Sequence, residues 1–301
     1  MKAAPFEYSR ARDIDEACAL LAVDENARVI AGGQTLVPMM AMRLARPTRL
    51  IDIARIAPLS YIRVDRDAIA IGATTRQCMV ERDRLVATKL PLLAIAVPFI
   101  GHTATRARGT VGGSLANADP AAELTLIAAT LDATLSYRAG SKTADISVHE
   151  FFVGPMTTAL PAGACLTGVR FPIWSGKVGV GFHEVNARRS DFAFVSAAAQ
   201  VELGDDGMAR RIAIGVGAIT DCPLRLKTAE QQLRGTAVSP DKVSEAVRAA
   251  LADVEPLADL HASADYRRRV AATLAARAIA DARAHAQGKA QGKAQGKAYA
   301  H

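Results

Sequence analysis

Apolar positions along the chain come in short runs, and their spacing changes several times. Ile14, Ala17, Cys18 and Leu21 recur at helical spacing behind Asp13, with Glu16 three residues on, a capping-box start. Arg28–Ala31 reads as a strand ending at Gly32-Gly33, and Leu36, Met40 and Leu44 share the face of a following helix that has Pro38 in its first turn. Arg49–Ile53 reads as a second strand, so residues 1–57 predict a small βαβ-like unit. Tyr61–Val64 and Ala68–Ala73 flank the polar turn Asp65-Arg66-Asp67, a hairpin pattern, after which Thr74 or Thr75 is placed to cap a short helix. A helix starts near Pro91 and is limited by Pro98. Leu124, Ile127, Ala128 and Leu131 predict a further helix, with Asp119 as N-cap and Pro120 in its first position. Ala133–Tyr137 and Leu166–Phe171 read as strands, and His149–Phe152 as a short helix or turn.

The pattern breaks around Pro172–Gly176, where a domain boundary is expected. Beyond it Gly181–Ala187, Phe194–Leu203 and Arg211–Ala218 read as strands, with Gly204–Gly207 as a turn. Helices follow at 226–234, 240–252 and 264–285, the second with Ser239 as N-cap before Pro240. A meander followed by helices indicates an α+β layer domain. Gln287-Gly-Lys-Ala repeats at Gln291 and Gln295, units too short and polar to bury a core, so a disordered tail is expected over 287–301.

The net charge of +7 raises the question of nucleic acid. Lys289, Lys293 and Lys297 supply three of those charges, the rest are dispersed, and aromatics are few, so no nucleic-acid surface is read. No apolar stretch approaches the roughly 18 residues of a membrane span, and Met1–Tyr8 lacks the apolar core of a signal peptide, which points to the cytoplasm. Cys18, Cys78, Cys165 and Cys222 lie far apart without metal-ligand spacing, and Cys18 sits on an apolar helix face as a buried thiol. His102, His149, His183 and His261 are isolated, no nucleophile constellation is legible, and Arg267-Arg268-Arg269 forms a basic helix face, solvated or docking a partner.

Chemistry concentrates in two paired-glycine turns. Gly32-Gly33 is followed by Gln34 and Thr35; Gly112-Gly113 sits between Thr110 and Ser114. Without a Cβ, such pairs reach positive φ and admit a ligand close to the backbone, where successive N–H groups form an anion-binding concavity. Hydrogen bonds to a charged acceptor contribute about 1.5–3 kcal/mol each. Two strand–glycine–helix units in one chain are suited to gripping one phosphate-containing ligand from two sides, although neither is a Rossmann or Walker motif.

These stretches, with Arg189-Ser190-Asp191-Phe192-Ala193 and Ser263–Arg268, resemble the FAD-binding medium subunit of molybdenum hydroxylases, the family of the flavin subunits of carbon monoxide dehydrogenase and bacterial xanthine dehydrogenase-like enzymes. The resemblance covers all but the final stretch of the chain. It implies an α+β fold: a two-subdomain FAD-binding domain of the PCMH type (1–57 and 58–173), then a C-terminal domain (174–286) with a three-stranded antiparallel sheet and helices. It further implies FAD in this chain, no covalent attachment, and a molybdenum-pterin cofactor and [2Fe–2S] clusters in a large and a small partner subunit, assembled as a dimer of heterotrimers. Electrons would pass from the clusters through FAD to an external acceptor.

Carried over by residue, Ala31, Gly32, Gly33, Gln34, Thr35 and Leu36 would hold the pyrophosphate together with Thr110, Val111, Gly112, Gly113 and Ser114. Gln34 and Thr35 stand where many relatives have His or Gln, then Ser. Glu123 matches an acidic position that contacts FAD, or else serves the helix dipole. Asn117 and Asp119 contact FAD or cap the helix. Leu166 lies on the strand near the flavin ring or is plain core, Phe192 sits near that ring or in the core, and His183 falls where some relatives offer Lys to the flavin. The competing readings are a self-contained flavin oxidase or reductase of the same superfamily, for which no proton donor stands out, and a non-enzymatic scaffold that has lost its flavin.

Overall fold

The computed structural model describes residues 2–288, so the expected disordered tail lies outside the described residues apart from Gln287 and Gly288. Among the described residues there are three larger sheets and one two-stranded hairpin. The first is parallel, in the order β1-β3-β2: β1 (Glu7–Arg10), β2 (Arg28–Ile30) and β3 (Arg49–Asp52). Helix α1 (Ile14–Ala22) joins β1 to β2, and Asp13 caps it by accepting from the Glu16 amide at 2.8 Å. The Glu16 carboxylate accepts from the Arg12 amide, one residue short of a reciprocal capping box. Strand β1 has no apolar alternation and is mostly exposed, which is why periodicity does not reveal it. Helix α2 (Leu36–Ala41) is shorter than expected. Arg43 turns left-handed at φ 61, and Leu44 is 71% exposed rather than on a buried face.

The second sheet is antiparallel, in the order β4-β5-β10-β6-β7: β4 (Ile62–Asp65), β5 (Ala68–Gly72), β6 (Thr134–Ala139), β7 (Lys142–Ser147) and, after the hairpin β8 (Phe152–Gly154) and β9 (Thr157–Thr158), β10 (Ala164–Pro172). Between β5 and β6 run six short helices: α3 (Gln77–Arg82), α4 (Arg84–Lys89), α5 (Pro91–Ala96), α6 (Thr103–Arg108), α7 (Val111–Asn117) and α8 (Glu123–Thr130). Neither threonine caps α3. Its N-cap is Arg76, and the Thr75 hydroxyl instead bonds both the amide and the carbonyl of Tyr61. Every residue of α8 is buried, so this helix is enclosed rather than amphipathic. The short helix α9 (Val148–Phe151) precedes β8, and His149 bonds the Asp132 carboxylate at 2.7 Å.

The third sheet has three long antiparallel strands, β11 (Lys177–Val185), β12 (Val195–Leu203) and β13 (Ala209–Gly217), plus a two-residue fourth, β14 (Leu224–Arg225). Helices α10 (Lys227–Leu233), α11 (Pro240–Leu251) and α12 (Ala264–Ala286) follow, and Ala275, Ala278, Ala282 and Ala286 of α12 bury against the sheet. Ser239 precedes Pro240 without a side-chain cap bond, whereas Ser263 accepts from the Tyr266 amide at the start of α12. Arg267 is neither solvated nor free to dock. It is 5% exposed and donates to the carbonyls of Phe194 and Ala218 and to the Asp259 carboxylate. One apolar core runs from the second sheet through α5 and α8 to Val180, Phe182 and Ala198 of the third.

Candidate functional site

Both glycine turns open onto one cleft of about 640 Å³, within the range of cofactor sites. The first turn leaves β2 at its carboxyl end. Gly33 adopts φ +70, a conformation that favours glycine. A Cβ on Gly32 would stand 2.5 Å from the Arg108 carbonyl oxygen and 2.9 Å from Gly109 Cα, so the two turns touch through backbone. Helix hydrogen bonding begins with the Val37 amide on the Gly33 carbonyl. The amides of Gly33, Gln34 and Thr35 have no partner among the described residues, and all three residues line the cleft.

The second turn differs from the expected loop. Gly112 and Gly113 are inside α7, capped by Thr110, with neither at positive φ. Their amides are spent within the chain: Gly112 on the Ala73 carbonyl at 2.9 Å, Gly113 on Thr110 Oγ1 at 3.1 Å, and Ser114 on the Thr110 carbonyl at 3.1 Å. Glycine is needed here for closeness, since a Cβ on Gly112 would meet Ala73 atoms at 2.5–2.7 Å. The second unit thus brings hydroxyls and a tightly seated helix to the cleft, and the first brings free amides.

Helix α8 begins at Glu123 after Ala122, not at Pro120. Asp119 caps a turn instead, its carboxylate accepting from the Ala121 amide at 2.9 Å, because Ala118 ends α7 in the left-handed region and the chain must reverse before α8. Asp119 and Glu123 both line the cleft. Burial pushes the Glu123 carboxyl up to about 7; its own amide opposes the shift, Asp119 adds to it and Arg106 opposes it. Burial, with the charge of Glu123 nearby, pushes Glu184 up to about 8. Asp119 is raised as well, by burial against the Ala121 hydrogen bond.

Fourteen of the sixteen residues singled out from the sequence line this cleft: Ala31 through Leu36, Thr110, Gly112, Gly113, Ser114, Asn117, Asp119, Glu123 and Leu166. Two do not. The Val111 side chain is fully buried beneath α7, and its amide bonds the Thr75 carbonyl. His183 faces α12, bonded to the Asp281 carboxylate at 2.9 Å, because its place on β11 turns it to the helix. It offers the cleft no charge. Phe192 stands at the rim, 68% exposed, beside Ser190 at φ 73, and is not core. Cys165 lines the wall as a buried thiol raised to about 12 by burial and by Cys18.

Sequence reasoning missed Ile100, Gly101, Thr105 and Gln77, which also line the cleft. Gln77 is 4% exposed, and its Oε1 is buried without a partner beside Gly109. Only its position two residues after Thr75, opposite the Thr110 bridge, connects it to the site. Among the described residues no group of His, Cys, Asp or Glu is arranged to hold a metal ion.

Unpartnered amides, hydroxyls and apolar side chains at one cleft where the two glycine units meet define a site of the kind that binds a nucleotide cofactor. Two family models match: the FAD binding domain in molybdopterin dehydrogenase over residues 4–174 and the CO dehydrogenase flavoprotein C-terminal domain over residues 181–282. The 6-hydroxypseudooxynicotine dehydrogenase complex subunit alpha of Paenarthrobacter nicotinovorans is 34% identical over 93% of this chain and 95% of its own. The carbon monoxide dehydrogenase medium chain of Afipia carboxidovorans is 31% identical over 91% and 95%. Among solved structures, quinoline 2-oxidoreductase from Pseudomonas putida 86 superposes with a TM-score of 0.90 at 33% identity, covering 96% of this chain and 99% of that one. Carbon monoxide dehydrogenase from Hydrogenophaga pseudoflava gives 0.91 at 31%, covering 95% and 99%. The chain belongs to the FAD-binding medium subunits of molybdenum hydroxylases, and it is an oxidoreductase subunit with FAD as its cofactor.

Proposed function

We propose that this chain is the electron-transfer subunit of a molybdenum-containing hydroxylase, passing electrons from [2Fe–2S] clusters in a small partner subunit to an external acceptor. The large partner would carry the molybdenum-pterin cofactor, and the assembly would be a dimer of heterotrimers. Bound FAD supplies the redox chemistry; the chain supplies binding and orientation. The cleft fits that cofactor. The open amides of Gly33, Gln34 and Thr35 suit a pyrophosphate, with the hydroxyls of Thr35 and Ser114 beside it. Leu166, 4% exposed, is the floor against which an aromatic ring would lie. Glu123, poised near 7, can donate or accept a hydrogen bond at neutral pH. Residues 1–57 and 58–173 read as the two halves that close on the cofactor, with 174–286 as the C-terminal domain.

The observation that carries this reading is the meeting of both glycine units at one cleft in a chain whose family binds FAD. The chain purified alone is expected to show a flavin spectrum, or to take up added FAD, without oxidising substrate. Tagged and purified from its native host, it should bring molybdenum and iron. Folded protein that binds no FAD removes the assignment, and substrate turnover by the isolated chain makes it a self-contained flavoenzyme instead.

A further inference from the structure

A second cleft of about 510 Å³ shares Ile30, Ala31, Gly32, Gly33 and Gln34 with the first and extends from them over a different set of residues. It sits at the carboxyl edge of the parallel sheet, where Arg10 ends β1 and Asp52 ends β3. Four arginines line it: Arg10, Arg55, Arg76 and Arg108. Its one carboxylate is already committed, since Asp52 accepts from the Tyr8 hydroxyl and the Ala54 amide and lies 3.9 Å from Arg10. Arg76 gives one N–H to the Arg108 carbonyl. The guanidinium groups of Arg55, Arg76 and Arg108 have no acidic partner among the described residues. By contrast Arg106, Arg138, Arg170, Arg225 and Arg267 are each held by a carboxylate.

The cleft is also greasy at its lip. Tyr8 and Val37 line it with about half of each exposed, at 52% and 51%. Arginine and tyrosine around a partly apolar recess are the composition of a protein interface centre rather than of a small-ion site. The far edge of β1 is unpaired among the described residues, so an extended chain laid along it finds backbone to bond.

We propose that this cleft docks an acidic segment of a partner subunit, its carboxylates meeting Arg55, Arg76 and Arg108 and an apolar side chain covering Tyr8 and Val37. The inference rests on the subunit reading above. Paired guanidinium–carboxylate contacts give orientation as well as attraction, and they weaken with salt. Because Gly32 and Gly33 line both this recess and the cofactor cleft, the docked segment would also brace that turn.

The test uses the tagged full chain expressed in its native host, as wild type, R55A/R108A and R55E/R108E, with FAD, iron and molybdenum measured per chain. Wild type is expected to carry all three. R55E/R108E should keep its FAD, showing a folded cofactor domain, and lose iron or molybdenum with the departed partner. R55A/R108A should assemble at least tenfold more weakly at low salt and converge on wild type at high salt. Unchanged metal content and salt dependence in R55E/R108E would overturn the inference. So would intact assembly combined with binding of inorganic pyrophosphate to the FAD-loaded chain that the double substitution abolishes, which marks a small-anion site. A wild-type chain that brings neither metal defeats the subunit reading itself, and the docking inference with it.

Discussion

Gly112 has no room for a side chain: a Cβ there would lie 2.5 Å from the Ala73 Cβ and 2.7 Å from its carbonyl oxygen. Gly112→Ala should therefore push α7 away from β5, at a cost of about 1–3 kcal/mol, read as a lower midpoint in urea with the slope unchanged. Thr110→Val removes the acceptor for the Gly113 amide and should cost about 1 kcal/mol by the same measurement. The buried carboxyls make a pH prediction for the cofactor-free chain. Glu123 and Glu184 titrate at about 7 and about 8 when folded, above their ordinary 4.5. Their stabilising contribution is complete below that ordinary value and is lost as pH rises through the folded values. Melting temperature should fall from pH 6 to pH 8.5, and Glu184→Gln should flatten the fall; an identical slope in the variant would place the cause elsewhere. Asp132 has the opposite sign. Burial raises it, but hydrogen bonds from His149 and Arg225 and their charges bring it down to about 2, so its contribution is present above its ordinary 3.8 and lost as pH falls through about 2.

At the scale of elements, α12 lies on β11 with almost no side chain between them. A Cβ on Gly179 would come 1.9 Å from the Ala282 carbonyl oxygen, and one on Gly181 would come 2.1 Å from that of Ala278. Gly181→Ala should lift the helix and lower the urea midpoint, again by about 1–3 kcal/mol, while FAD uptake, set in the other domain, stays as it was. These elements also show what periodicity can and cannot reveal. The long strands of the third sheet and α12 stand out because their apolar positions repeat over many residues. Strand β1 does not, because Glu7-Tyr8-Ser9-Arg10 is an exposed edge with nothing to bury. The break between α7 and α8 is hidden as well. Asp119-Pro120 has the residues of a helix start, yet the left-handed Ala118 reverses the chain and the helix waits until Glu123.

Across the whole molecule, the cleft exists because two units distant in sequence close on each other. Residues 31–36 and 110–114 were legible as a pair since glycine there answers a steric demand that leaves few alternatives. Gln77, Ile100 and Thr105 were not, because nothing local separates a cleft-lining polar or apolar residue from a core one. His183 shows the same limit, as its direction depends on which face of β11 meets α12. The division of labour between the turns is likewise a tertiary matter: Gly112 and Gly113 spend their amides inward, and Gly33, Gln34 and Thr35 keep theirs open. Amide hydrogen exchange with and without FAD reads this division directly. FAD should slow exchange strongly at Gly33, Gln34 and Thr35, while Gly112, Gly113 and Ser114 stay slow in both states. Exchange at the first turn that ignores FAD, in protein shown to have bound it, would contradict the account.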